Sequence, residues 1–246
     1  MSILNDLDKP LNDTIMPLSG HLQELRSRFF HSVVIFLLSC LICSLKIKNI
    51  VFFLQQLAPT VKFLQLAPGE YFFSSIKVIL YTSICISGPF FLYQILLFIL
   101  PGLTKRERNI IIPLSIISII LFILGLVFAY FVLIPAALNF FIRYGSDLVE
   151  PLWSLEQYLD FILILLLSTG LAFQVPIIQV LLGFFGIITS KTMLSLWRYI
   201  LLFSTIAGAV LTPSVDPLTQ ILLSSAIFSL YFVGIGSIMV IDKFNN

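Results

Sequence analysis

The chain has 246 residues, 59% of them hydrophobic and 11% charged, with a formal net charge of +2 and a mean hydropathy of +1.08. A soluble domain carries about 25% charged residues, so this chain has too few polar side chains to cover a water-facing globule, and no stretch is basic enough for nucleic acid. The class is a polytopic membrane protein, all-α, folded as one membrane domain.

The chain opens on a polar tail, residues 1–19, with Asp6, Asp8 and Asp13 ahead of the first arginine. A transit peptide is poor in acids, and a secretory signal shows its apolar stretch sooner and ends at a small-residue cleavage site. Neither pattern is met, and the chain is expected to insert through its own first span. Six apolar segments then follow, at about 29–45, 76–99, 110–134, 158–182, 193–211 and 218–240. Crossing ~30 Å of hydrocarbon takes roughly 20 helical residues. Every backbone polar group must be satisfied inside lipid, so each segment is predicted to be a helix. Pro89 and Pro176 lie inside the second and fourth segments and predict kinks. Pro113 falls near the start of the third, where proline is tolerated. The fifth segment is short. From Tyr199 to Leu211 it offers 13 uninterrupted residues, about 20 Å of helix, so either Arg198 snorkels or the bilayer thins locally. The connections 46–75 and 135–157 are rich in apolar residues and read as short amphipathic pieces at the interface, anchored by Tyr71, Tyr144, Trp153 and Tyr158.

Orientation follows lysine and arginine. With the N-terminus on the cytoplasmic or stromal side, that side holds Lys9, Arg26, Arg28, Lys105, Arg106, Arg108, Lys191, Arg198 and Lys243, nine of the 14. The other side holds Lys46, Lys48, Lys62, Lys77 and Arg143. Both termini are expected on the cytoplasmic or stromal side. Cys40, Cys43 and Cys85 all lie in apolar runs and read as packing residues.

Nothing in the chain supports an enzyme: there is no glycine-rich phosphate loop, no metal-ligand spacing around His21 or His31, and no Ser-His-acid set. No cofactor or metal is expected. No acid sits at the middle of any span, which lowers the reading as a proton-coupled small-molecule carrier. Gln94, Gln174 and Gln179 are the central polar groups, each able to bond a ligand or a neighbouring helix. Two acids stand at the edge of the membrane. Glu24, in "HLQELRSR", has the spacing to pair with Arg28 at i,i+4, and Glu107 lies in "LTKRERN". Spacing alone leaves open whether they serve structure or await another molecule's cations.

The stretches "HLQELRSR" (21–28), "FLYQILLFILPGLTKRER" (91–108), "FILGLVFAYFVLIPAALNF" (122–140), "GLAFQVP" (170–176) and "LTPSVDPLTQ" (211–220) resemble the TatC family. That family is the multi-spanning subunit of the twin-arginine protein translocase. The resemblance runs from about 20 to 240 and implies six transmembrane helices in a concave, glove-like bundle. It implies a receptor for folded precursor proteins carrying a signal with two consecutive arginines. It also implies recruitment of single-span partners of the TatA/TatB type into an oligomeric complex, with transport driven by the proton gradient. By resemblance, Glu24 and Glu107 hold the signal's arginine pair, and the signal's apolar segment lies near Gln174. Ala58, Pro59, Pro68 and Glu70 belong to a structured cap in the first far-side loop. Thr212, Asp216 and Gln220 form the polar cluster that meets the small partner. The chain departs from many relatives by carrying Gln174 in place of Glu, and Phe232 in place of an acid after Tyr231. "TPSVDPLTQ" is closest to the cyanobacterial and plastid branch, which points to a thylakoid membrane, with a cyanobacterial plasma membrane as the alternative.

Overall fold

The computed structural model describes residues 18–99, 105–144, 152–212 and 216–245. Each predicted crossing is helical, and the helices run past the hydrocarbon limits drawn from the sequence, because polar turns outside the lipid still continue the backbone ladder. α1 spans Leu18–Leu45 and is followed by the short amphipathic α2, Ile47–Gln55. α3, Glu70–Ile99, continues through Pro89. α4, Lys105–Phe128, starts before the predicted third span, so Pro113 lies about two turns into the helix rather than at its start. α4 then passes into a π-helical turn, Ala129–Leu133, and on into α5, Ile134–Tyr144. Pro135 has no N–H, and its ring crowds the carbonyl four residues back. The wider turn, in which Ile134 N–H bonds Ala129 O, accommodates that ring.

The predicted fourth span is two helices rather than one kinked helix. α6, Leu155–Ala172, stops because Pro176 cannot donate to Ala172 O. α7, Val175–Phe184, takes Pro176 into its first turn, where the missing donor costs nothing. α7 ends in a Schellman motif: Gly186 adopts φ +68°, Ile187 N–H bonds Leu182 O, and Gly186 N–H bonds Gly183 O. The predicted fifth span is divided between α8, Ser190–Ser195, and α9, Trp197–Leu211. α10 runs Pro217–Asn245. Among the described residues, five helical stretches are long and apolar enough to cross a membrane, and α9 is the shorter sixth. At 15 residues it spans about 22 Å.

Two hydrophobic cores divide the bundle along its axis. One, at the loop end, gathers Leu54, Val61, Val78, Leu138, Tyr158 and Leu159 with their neighbours. The other, at the end where α1 begins and α10 finishes, gathers Leu96, Ile111, Met193, Tyr231 and Ile238 with theirs. We call the second the terminal end. The outer faces of the helices expose large apolar side chains such as Leu37, Ile117, Leu202 and Ile221, the surface expected where the solvent is lipid.

The loop end is more ordered than amphipathic pieces alone would be. β1, Lys62–Leu64, pairs in parallel with β2, Leu152–Ser154, in the register Lys62↔Leu152 and Phe63↔Trp153. Three residues are too few for alternation to show in the sequence.

Candidate functional site

The resemblance names three groups of residues, and the structure places each at a different point of the bundle. At the terminal end, α1 lies against the last turns of α3, where the His21 ring stacks on Phe98 at 4.4 Å. One turn along α1, Glu24 Oε1 accepts hydrogen bonds from Arg28 Nε at 2.9 Å and Nη2 at 2.5 Å. The i,i+4 pairing expected from spacing is therefore formed. Arg28 also donates from Nη1 to Gln94 Oε1 on α3 at 3.2 Å. Glu107 falls in the first turn of α4; its side chain lies outside the described residues.

Directly inward of Arg28 and Gln94, a groove of about 490 Å³ opens between α1 and α3. Phe29, Phe36, Phe91 and Ile95 line its sides, and Phe122, Leu167 and Leu171 close its back. Glycine makes the close packing around it possible. A Cβ on Gly88 would stand 2.7 Å from the Phe122 ring, and one on Gly170 would stand 3.0 Å from it. Sequence reading missed this groove, because its walls come from four helices far apart in the chain.

Gln174 sits at the break between α6 and α7, only 6% exposed. Its Oε1 accepts from Ser118 Oγ at 2.6 Å, and its Nε2 donates to Ser118 O at 3.1 Å. Both ends of the amide are thus spent on α4. Leu171 and Phe122, which floor the groove, lie about one turn from this pair. Gln179, also buried, has neither amide atom bonded and packs against Gly234 of α10.

Thr212, Asp216 and Gln220 are brought together at the α9–α10 connection. Asp216, 2% exposed, accepts from Thr219 N at 2.9 Å and caps α10, with Pro217 as the first helical residue. This is the Asp-Pro start signal, readable in the sequence. Thr212 Oγ1 bonds back to Gly208 O at 2.8 Å. Gln220 is more exposed and donates from Nε2 to Thr205 O across the hairpin at 3.3 Å. The two helices meet closely because Gly208 faces Gln220 O and Ser224.

At the loop end, Pro68 and Gly69 form a turn closed by Glu70 N–H to Ala67 O, with Gly69 at φ +84°. Pro59 lies exposed in the turn that follows buried Ala58. Glu70 ties the two loops together. One carboxylate oxygen accepts from Leu66 N and Ala67 N, and the other accepts from Ser154 Oγ at 2.7 Å and Glu156 N at 3.3 Å. A further ionic tie was not expected: Lys77 Nζ on α3 reaches Glu156 at 2.8 Å and Asp160 at 2.7 Å on α6. Two acids at i,i+4 on one helix face call for a cation, and that was the signal available in the sequence.

A family model described as Sec-independent protein translocase protein (TatC) matches residues 20–225. The Sec-independent protein translocase protein TatC of Synechocystis sp. is 53% identical, over 96% of this chain and 93% of that protein. The chloroplastic protein of the same description from Arabidopsis thaliana is 47% identical, over 91% of this chain and 66% of that one. A crystal structure of the twin arginine translocase receptor TatC superposes with a TM-score of 0.76 at 34% identity, covering 89% of this chain and 98% of that chain. Fold and sequence agree, and the chain belongs to the TatC family of Sec-independent protein translocase proteins, as a multi-pass membrane protein.

Proposed function

We propose that this chain is the receptor and assembly platform of a twin-arginine translocase in a plastid thylakoid membrane, binding the signal peptide of folded precursors and recruiting single-span partner subunits. The observation that carries the reading is the adjacency of the Glu24 carboxylate to an apolar groove that begins one residue beyond Arg28, at Phe29. A signal with paired arginines ahead of an apolar segment matches that order of chemistry. Its guanidinium groups meet carboxylate at the membrane edge, and its apolar segment enters the groove. A planar guanidinium can present two parallel donors to a carboxylate, which a lysine cannot do. Each hydrogen bond to a charged group is worth about 1.5–3 kcal/mol net. Glu107 supplies the second carboxylate. Five residues separate Ile99 at the end of α3 from Lys105 at the start of α4, which keeps the first turn of α4 near the same end. Gln174 acts behind the groove, holding α4 to the α6–α7 break.

Gln220 is the contact offered to a partner's membrane-embedded polar group, because its carbonyl Oε1 accepts no hydrogen bond among the described residues. Thr212 and Asp216 shape the hairpin that presents it. Proton-gradient drive is what the family implies for the assembled complex. Replacing Glu24 or Glu107 by Ala should sharply reduce crosslinking of a twin-arginine precursor to this chain in native membranes. Undiminished crosslinking in both variants removes the proposed site.

A further inference from the structure

Arg28 takes up the carboxylate that the proposed site needs. Its Nε and Nη2 both point at Glu24 Oε1, while Glu24 Oε2 accepts no hydrogen bond among the described residues. The two side chains are about one quarter exposed, 24% for Arg28 and 23% for Glu24, so the pair lies within reach of a peptide in the aqueous boundary. We propose that Arg28 is a built-in competitor for Glu24, one that an incoming guanidinium must displace. The inference rests on the reading of Glu24 as the arginine-binding group.

The physical case has three parts. First, in the paired state Glu24 is neutralised by Arg28, and Arg26 adds a further positive charge two residues away. That local balance does not attract a dicationic peptide. Second, a visitor can reach Oε2 at once, but a two-point fork needs Oε1 as well, which Arg28 must release. Third, the released guanidinium keeps an acceptor, since Nη1 is already bonded to Gln94 Oε1 at 3.2 Å on the facing helix. One arginine is exchanged for another at little net cost. A cation that binds through Oε2 alone leaves Arg28 in place, whereas a forking guanidinium must displace it, so the competitor weakens a forking signal more than a non-forking one. It keeps the bound paired-arginine signal reversible for hand-over to the translocating assembly.

The test is equilibrium binding of synthetic signal peptides, one Arg-Arg and one Lys-Lys, to the full-length protein in lipid nanodiscs. Arg28→Gln removes both charge and fork; Arg28→Lys keeps the charge and removes the fork. We expect Arg28→Gln to tighten the Arg-Arg peptide by a factor of about ten, the scale of one charge-assisted hydrogen bond, and the Lys-Lys peptide by less. Arg28→Lys should tighten the Arg-Arg peptide by a smaller factor. Equal tightening of the two peptides overturns the inference. Affinity that is unchanged or weaker in both variants overturns the inference and leaves Arg28 as a positioning residue for Glu24. Tightening in Arg28→Gln with none in Arg28→Lys overturns it as well, because bulk charge alone then accounts for the effect. Glu24→Gln is measured alongside. If it binds both peptides as wild type does, the site reading fails and takes this inference with it. If it weakens binding while the Arg28 variants do not tighten it, the competitor alone is rejected.

Discussion

Gln174 and Ser118 exchange two hydrogen bonds across helices that are 56 residues apart in the chain. Inside a membrane protein such interhelical bonds contribute up to about 1–2 kcal/mol, less than the cost of leaving a partner bare. Gln174→Leu should therefore lower stability by about 1–2 kcal/mol, read as earlier thermal unfolding in detergent. Adding Ser118→Ala should cost less than a second independent loss, because the pair acts as a unit. From the sequence Gln174 could serve a ligand or a neighbouring helix, and only the fold names Ser118 as its mate. Glu24 and Arg28 were legible because their pairing is local, four residues along one helix. Gln94 as the third member was not, because it enters from another helix. From the sequence Asp216 was placed only in the partner-contact cluster; its cap on α10 carries a local signal, an acid followed by proline, that sequence reading missed. Asp216→Ala should cost about 1 kcal/mol through loss of the cap, measurable by the same unfolding experiment.

At the scale of the element, proline decides where helices end, and small residues decide where they touch. Pro176 divides the predicted fourth span into α6 and α7, while α3 runs through Pro89; the same residue type has opposite outcomes, which local reading treats alike. α9 buries only Ser204 and Gly208 and shows Leu202, Phe203, Ile206 and Val210 outward. Its attachment to α10 thus depends on one narrow seam. A Cβ on Gly208 would already stand 3.0 Å from Gln220 O, so Gly208→Leu must push the helices apart. Gly208→Leu should break the hydrogen bond from Gln220 Nε2 to Thr205 O, now 3.3 Å across the hairpin, and bring thermal unfolding in detergent to a lower temperature. If partner subunits gather at this hairpin, their co-purification should fall in the same Gly208→Leu variant, with Gln220 kept.

For the whole molecule, the loops at one end and the groove at the other depend on ties between distant segments. Glu70 holds the first loop to the second through Ser154 and the Glu156 amide, and Lys77 bridges to Glu156 and Asp160. Glu70→Ala should free both loops together, raising protease cleavage in residues 56–69 and around β2 at the same protease dose, while the terminal end stays protected. The sequence by itself determined the class and the crossings. Lipid offers no hydrogen bonds, so an apolar run of sufficient length has little choice but to be helical, and that constraint acts on each segment separately. It also determined one local device, the Glu24–Arg28 spacing. Tertiary structure alone decided that Phe122, packed closely on Gly88 and Gly170, floors a groove, that Lys62–Leu64 pairs with Leu152–Ser154, and that one carboxylate serves two loops. The reason is that each of these joins groups remote in the chain, where identity of residues sets what can bond but only packing sets which groups meet.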